Sequence, residues 1–396
     1  MKILIINSVC NQGSTGIISY NLHKHAESLG IESLFCYGRG QKKYKKGTLR
    51  INSKIGFLFH VLFARITGLQ GYFSIFETKK LCKIIGSYNP DVIYLGNLHG
   101  YYLCELKLLN YIKSKEIKTV YIMFDEYPYM GKCAYSGNCE KYKNECIGCP
   151  KVKEYPKSWF FDKSTKIFRD KYNVYEGFKN LVFLSVPYNI EKAKKSFLLG
   201  DKHLLPLGWG IDIRNTFVPK EVESLREKLN ISKETKVILN VAPYFDERKG
   251  VKKFFVEIAK ALLNENIIFI NVGFNGNKNE CPANFLGVGY IRDQKELAEY
   301  FSLADLTMIT SMDDTYPTVA LDSIACGTPV CGFNKSGIPY VAPAPICTCK
   351  DNIEDLITYI REHTQKTRYM ISLCRAYAEE NYDEILVNDK ILNIHH

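Results

Sequence analysis

The run from Leu306 to Phe333 constrains the fold of this chain more than any other stretch. Leu306-Thr-Met-Ile-Thr310 is short and apolar, as a buried parallel strand is. Ser311-Met-Asp-Asp-Thr-Tyr reads as a loop, and Pro317 suits the first helical position, where its missing N–H has no intrahelical partner to lose. Gly327 supplies a stop, Pro329 blocks continuation, and Val330-Cys-Gly-Phe333 is a second strand. Strand, loop, short helix and strand form the unit of a parallel α/β sheet.

Two carboxylates frame that turn. Asp314 lies in the loop, and Asp322 lies five residues into the helix, about 7.5 Å along its axis. The helix N-terminus between them favours a phosphate through its free N–H groups and partial positive charge. An acid on each side could accept hydrogen bonds from hydroxyls at the two ends of a sugar–diphosphate–nucleoside. An ordinary βα turn carrying one surface Asp and one helix Asp fits the geometry equally well.

The same alternation runs through the rest of the sequence. Lys2 to Asn7 is a strand, Ser8 to Gly16 a Gly-containing loop, and a helix follows to about Leu29, with Ile18, Leu22, Ala26 and Leu29 on one face and Gly30 closing it. Further strands read at 33–40, with an exit loop included, 91–95, 119–124 and 180–186. His99 stands just past the third of these five, where ligands bind in open α/β sheets, although a lone His is usually structural. The pattern restarts with a strand at Lys236–Ala242 and a charged loop, Tyr244-Phe-Asp-Glu-Arg-Lys-Gly250. The helix after it would bury Val251, Phe254, Phe255, Ile258, Leu262 and Leu263. Arg248 and Lys249 thus stand at a strand-to-helix junction, a ligand edge or simply a solvated turn. Strands at 267–273 and 285–290 and helices at 353–363 and 366–380 complete the reading.

A length of 396 residues suggests two domains, each with its own core. Residues 1–200 carry 31 Lys+Arg against 15 Asp+Glu, and the remainder 22 against 27. So basic a first half suits an anionic partner, a membrane surface or lipid diphosphate, or else is a solvated lysine-rich surface. No nucleic-acid-binding motif is present, and no nucleic-acid partner is expected. No run approaches the roughly 20 apolar residues that cross a bilayer. The N-terminus leads too soon into polar residues for a signal peptide, so the fourteen cysteines are expected as reduced thiols in a cytoplasm. Ile55 to Leu69 is an apolar, helix-like segment interrupted by His60 and Arg65. Such a segment is usually domain core, and its basic flanks also allow peripheral contact with a membrane interface. Cys133, Cys139, Cys146 and Cys149, spaced C-x5-C-x6-C-x2-C, could bind a structural zinc as thiolates, with disulfides or free thiols as the alternatives.

Asp314-x7-Asp322 followed by Ser-Ile-Ala-Cys-Gly-Thr-Pro-Val resembles the E-x7-E signature of retaining glycosyltransferases of family 4. Asn-x-Gly-Ser-Thr-Gly at 11–16, His-Gly-Tyr-Tyr at 99–102 and the cysteine cluster resemble a subgroup from bacterial surface-polysaccharide pathways of the colanic-acid type. The resemblance implies the GT-B fold, α/β with two Rossmann-like domains facing a cleft. Its boundaries would be 1–207 for an acceptor-binding domain with a Cys-rich insertion at 125–156, and 208–370 for a nucleotide-sugar-binding domain. Residues 371–396 would form a C-terminal helix packing back on the first. Of the functional residues, Arg248 and Lys249 in Arg-Lys-Gly would hold the diphosphate, Asp314 the donor sugar and Asp322 the ribose. Gly13, Ser14, Thr15, Gly16, Gly273, Thr315, Tyr316, Thr318 and Val319 would line the donor site, His99 and Tyr101 the acceptor side, and Asp125 would join the catalytic set. No cofactor is required for catalysis. The partners implied are a UDP- or GDP-sugar and a saccharide or polyprenyl-diphosphate-linked acceptor, used in polysaccharide or lipopolysaccharide assembly in the cytoplasm at the inner face of the membrane.

The chain departs from the pattern in four places. Both signature acids are Asp, Ile17 stands where the subgroup often has Arg, Pro243 stands where many members have Arg, and Phe124 stands where the subgroup commonly has His. Phe can neither donate to a sugar hydroxyl nor transfer a proton. A weakened or silent sugar-nucleotide-binding protein is therefore the alternative to a transferase, and a GT-B epimerase or hydrolase is a second enzymatic reading.

Overall fold

The computed structural model describes residues 1–40 and 47–395. Two compact units divide the chain: unit 1 is Met1–Gly208 with Asn388–His396, and unit 2 is Trp209–Val387.

Unit 1 runs β1 (Lys2–Val9), α1 (Gly13–Ser28), β2 (Glu32–Arg39), β3 (Thr48–Arg50), α2 (Lys54–Thr67), α3 (Ile75–Tyr88), β4 (Val92–Leu95), α4 (Glu105–Ser114), β5 (Lys118–Ile122), α5 (Ser164–Tyr175), β6 (Leu181–Ser185), α6 (Pro187–Lys194) and β7 (His203–Pro206). The seven strands are ordered β3-β2-β1-β4-β5-β6-β7 and every pairing is parallel. β1, β4, β5 and β6 are almost wholly buried because helices cover both faces, which is why they read as continuous apolar runs. Leu4, Ile6, Ile93, Leu95, Leu108, Ile112, Phe168 and Phe183 are at the centre of this core.

Unit 2 continues with α7 (Glu223–Lys228), β8 (Lys236–Val241), a π-helical turn (Val251–Phe255) leading into α8 (Val256–Ala261), β9 (Ile267–Val272), β10 (Phe285–Val288), α9 (Gln294–Leu303), β11 (Leu306–Ile309), α10 (Thr318–Ala325), β12 (Val330–Phe333), β13 (Cys347–Lys350), α11 (Ile353–Glu362) and α12 (Arg368–Asn381). Its six strands are ordered β10-β9-β8-β11-β12-β13, again all parallel. The last helix, α13 (Glu384–Leu392), leaves unit 2 and ends within unit 1, where the Tyr94 hydroxyl donates to the Ile391 and Leu392 carbonyls and His25 meets Asp389 at 2.6 Å.

Several sequence expectations shift. α1 begins at Gly13, so the expected loop residues Gly13–Gly16 form its first turn; Ser19 and His23 take the inward positions expected for Ile18 and Leu29. Pro317 is the N-cap of α10 and Thr318 its first residue. The π-helical turn after Gly250 adds a residue to one turn and rotates the face that follows. Val256 and Ala259 are buried, while Phe254 is only half-buried and Leu263 is exposed. The largest reversal is α2: its buried residues are His60 and Ala64, Phe57, Val61 and Ile66 are half-buried, and Ile55, Leu58, Phe59, Leu62 and Phe63, expected in the core, point outward. Among the described residues no helix is long and apolar enough to cross a membrane.

Candidate active site

In each sheet the strand order reverses direction at one point, between β1 and β4 in unit 1 and between β8 and β11 in unit 2. Loops leaving the carboxyl ends of strands diverge there and open a crevice, the usual ligand position in this architecture. Most of the site residues expected from the sequence fall at these two points.

In unit 2 the β8 loop is built around an Asp turn. Asp246 Oδ1 accepts from the N–H groups of Arg248 (3.0 Å) and Lys249 (3.4 Å), and Gly250 then takes φ +67°. A Cβ at Gly250 would stand 2.6 Å from the Thr310 carbonyl, so only glycine lets this loop close on the neighbouring strand. The β11 loop is stitched to it: Met312 N–H donates to the Arg248 carbonyl, and the Thr310 hydroxyl donates to the Lys249 carbonyl. The charged ends then meet. Lys249 Nζ lies 2.5 Å from Asp314 Oδ2, Arg248 Nη1 lies 3.9 Å from the same oxygen, and Arg248 also donates to the Asp313 carbonyl at 2.9 Å. Lys249 and Arg248 thus converge on the Asp314 carboxylate, and Arg248 Nη2 also lies 4.0 Å from Asp246 Oδ2, in a partly buried charged cluster. The β12 loop closes the third side, where Gly337 N–H donates to the Asp314 carbonyl at 2.8 Å. Gly273 (φ +98°) lets the end of β9 approach Ala242.

The remaining donor-side residues divide. Thr318 and Val319 are half-buried in the first turn of α10, beside a Pro317 cap with no side-chain acceptor. Thr315 Oγ1 is buried without a hydrogen-bond partner among the described residues. Tyr316 is buried, and burial raises its phenol. Asp322 is 9 % exposed, and burial pushes its carboxyl well above the ordinary carboxylate range.

In unit 1 the β1, β4 and β5 loops converge. Asn7 ties the first two together, donating to the Val9 and Thr15 carbonyls and accepting from Asn97 N–H at 2.9 Å. The first turn of α1 follows Gln12, which makes no side-chain cap, so Gly13, Ser14, Thr15 and Gly16 sit at a helix start without a capping side chain. His99 is nearly buried, with Nε2 at 2.7 Å from Asp125 Oδ2 and Nδ1 at 2.9 Å from the Tyr155 hydroxyl. Asp125 Oδ1 accepts from Tyr127 N–H, so both its oxygens are engaged and the imidazole is held between Asp125 and Tyr155. Tyr101 takes φ +63° at the edge of this group, its ring against Tyr155 and Phe57. Phe124, adjacent to Asp125, is buried. Tyr155 was missed in the sequence; the signal was an aromatic before Pro156, which carries no register of its own.

The four clustered cysteines hold free thiols: Cys133 and Cys146 are buried, and Cys139 and Cys149 half-buried. Burial first, and mutual repulsion after it, push Cys133 up to about 12; for Cys146 burial takes the thiol to about 11. Among the described residues no three His, Cys, Asp or Glu side chains are grouped so as to hold a metal ion. The four thiols are near enough that, after burial, mutual repulsion raises Cys133, Cys146 and Cys149, and Gly131 N–H and the Ser164 and Thr165 hydroxyls order the segment through Cys146.

Residues 221–382 match the family described as Glycosyl transferases group 1. Over 353 residues the chain is 24 % identical to the "Putative colanic acid biosynthesis glycosyl transferase WcaC" of Escherichia coli (strain K12), covering 83 % of this chain and 82 % of that one. Among solved structures, a sucrose-phosphate synthase from Thermosynechococcus elongatus superposes with a TM-score of 0.67 at 14 % identity, covering 100 % of this chain and 98 % of that one. Anabaena Alr3699/HepE in complex with UDP-glucose gives 0.64 at 15 % identity, covering 99 % and 98 %. The likeness shows the fold, two parallel-sheet Rossmann-like domains of the GT-B class.

Proposed function

We propose that this chain, which carries a glycosyl transferases group 1 domain in residues 221–382, moves a sugar from a nucleotide-sugar donor to a saccharide or polyprenyl-diphosphate-linked acceptor, with retention at the anomeric carbon. The observation that carries the reading is the Lys249–Asp314–Arg248 cluster at the switch point of unit 2. In the transfer the bond from the anomeric carbon to the diphosphate oxygen breaks, a bond to the acceptor oxygen forms, and the acceptor proton passes to the departing diphosphate. Charge grows on that diphosphate, and two preorganised cations stabilise it most where water is restricted. Asp314 would exchange part of its pairing with Lys249 for a hydroxyl of the donor sugar. Asp322, in α10, would meet the ribose hydroxyls. The acceptor falls to unit 1, where His99, held by Asp125 and Tyr155, supplies the imidazole that Phe124 cannot.

HepE bound to UDP-glucose supports a nucleotide sugar as donor, and the name of WcaC supports a surface polysaccharide as product. The work would then lie at the inner face of the cell membrane. Radiolabelled transfer from UDP- or GDP-sugars, with anomeric analysis of the product, tests the assignment. Unchanged rates in both Lys249→Ala and Asp314→Ala would refute it. Phe124 favours a second reading, a silent binding protein. Nucleotide binding without product, and no gain in Phe124→His, would select that one.

A further inference from the structure

α2 is an amphipathic helix facing the wrong way for a soluble protein. Ile55, Leu58, Phe59, Leu62 and Phe63 follow the i, i+3, i+4, i+7, i+8 spacing of a single stripe. That stripe points into solvent: Ile55, Leu58 and Phe59 are 68 %, 63 % and 57 % exposed. Toward the protein the helix turns His60 and Ala64, and His60 is held neutral by burial and bonded to Ser74 at 2.8 Å. The apolar surface continues beyond the stripe. Phe73 packs on Phe63 and leads to Ile75 and Phe76 at the start of α3, and Phe76 is 83 % exposed. Next to Phe63, Trp159 N–H donates to the Arg65 carbonyl, which brings exposed Phe160 and Phe161 to the C-terminal end of α2. A contiguous apolar surface of this kind marks a docking face.

The chemistry of its rim identifies the occupant. α2 contains no acidic residue. Arg65 stacks over Trp159 and Lys163 over Phe161, while Lys79 and Lys80 follow Phe76 at i+3 and i+4. Lys54 and Lys157 flank these segments in sequence, as do the acidic Glu77 and Asp162. Exposed apolar residues ringed by Lys, Arg and Trp match the boundary between acyl chains and anionic headgroups. A second copy docking by the same face would set one basic rim against another. We propose that the outer face of α2, with Phe76, Phe160 and Phe161, inserts into the interfacial layer of an anionic lipid bilayer and seats unit 1 on the membrane. This goes beyond the transferase reading, since insertion needs neither donor nor acceptor.

Flotation of the full-length protein with phosphatidylcholine vesicles, with and without one-third phosphatidylglycerol, is the test. Wild type is expected to float with the anionic vesicles, and Phe59→Ser/Leu62→Ser to lose at least tenfold of the bound fraction with an unchanged melting temperature. Lys79→Glu/Lys80→Glu should weaken binding and flatten its salt dependence. Wild type alone gives a second readout. The chain has 2 tryptophans, and Trp209 is buried in unit 2, so brominated acyl chains should quench the Trp159 component. Absence of both flotation and quenching overturns the proposal. So does a wild-type dimer that Phe59→Ser/Leu62→Ser converts to monomer while vesicle binding is absent, which would give the face to a second copy.

Discussion

Lys249 and Asp314, 65 residues apart in the chain, bring their charged ends to 2.5 Å at the point where the strand order of unit 2 reverses. Neither loop positions its residue alone. β8 and β11 are adjacent, the Thr310 hydroxyl holds the Lys249 carbonyl, and Gly250 allows the backbones to touch. The result is a cation pair held by Asp314 and Asp246 at the switch point, and a bound diphosphate would compete with those carboxylates for it.

Removing the ammonium should therefore cost chemistry more than folding. Lys249→Ala is expected to lower kcat/KM about 100-fold or more, the scale for losing one preorganised charge at a departing group. Because Lys249 is partly exposed, its melting temperature should change little. Steady-state transfer kinetics and a thermal melt together check this.

Gly337→Ala should disable the donor site without touching a charged residue. Its Cβ would stand 1.8 Å from the Thr315 carbonyl and 3.0 Å from that of Asp314, so the β11 loop must move. Backbone conformation is not at issue, since Gly337 lies at φ −83°. Nucleotide affinity by calorimetry is expected to fall at least tenfold while far-UV circular dichroism stays as in wild type.

The His99–Asp125 pair predicts a split between stability and rate. Asp125→Asn leaves the imidazole without its carboxylate and should lower kcat about 100-fold, the usual weight of a positioned proton-transfer group. His99→Ala leaves a buried carboxylate unpaired and should in addition cost about 2–3 kcal/mol in urea unfolding. Tyr155→Phe removes only a hydroxyl at the far nitrogen and should be the mildest of the three.

His60 gives unit 1 an acid-sensitive element. Burial pushes its imidazole down to about 3, against an ordinary value of about 6.5. The unfolded chain takes a proton that the folded chain refuses between those values, so the stabilisation from neutral His60 is complete above about pH 6.5 and is lost as pH falls toward 3. His60→Gln should show a shallower fall in urea midpoint from pH 7 to pH 4.5 than wild type.

How much of this was legible in the sequence depended on how local its cause was. β11, α10 and β12 were marked by punctuation at Gly327 and Pro329 within one short stretch, and only the Pro317 position moved by a residue. Arg248, Lys249 and Asp314 could be picked out singly, but their meeting depends on strand order, which no local signal carries. His99, Asp125 and Tyr155 met for the same reason, being 26 and 56 residues apart. The α2 stripe was legible as apolar and helical, yet periodicity says which face is apolar and not what covers it. The cysteine spacing marked the segment, while the bonds that order it, from Gly131 N–H to the Cys146 sulfur and from the Ser164 and Thr165 hydroxyls to its carbonyl, come from residues that the spacing does not point to.

The most direct test of the central claim is a thermal-shift and calorimetric titration of wild type and Lys249→Ala with UDP, GDP and their sugar conjugates, with the free nucleosides as controls. At about a hundred times its dissociation constant a ligand adds about 2.7 kcal/mol, which a melt resolves clearly. A nucleotide site built on Lys249 and Arg248 predicts stabilisation by one diphosphate family, none by its nucleoside, and loss of the shift in the variant. Equal shifts in wild type and Lys249→Ala, or no shift with any nucleotide diphosphate, would contradict it.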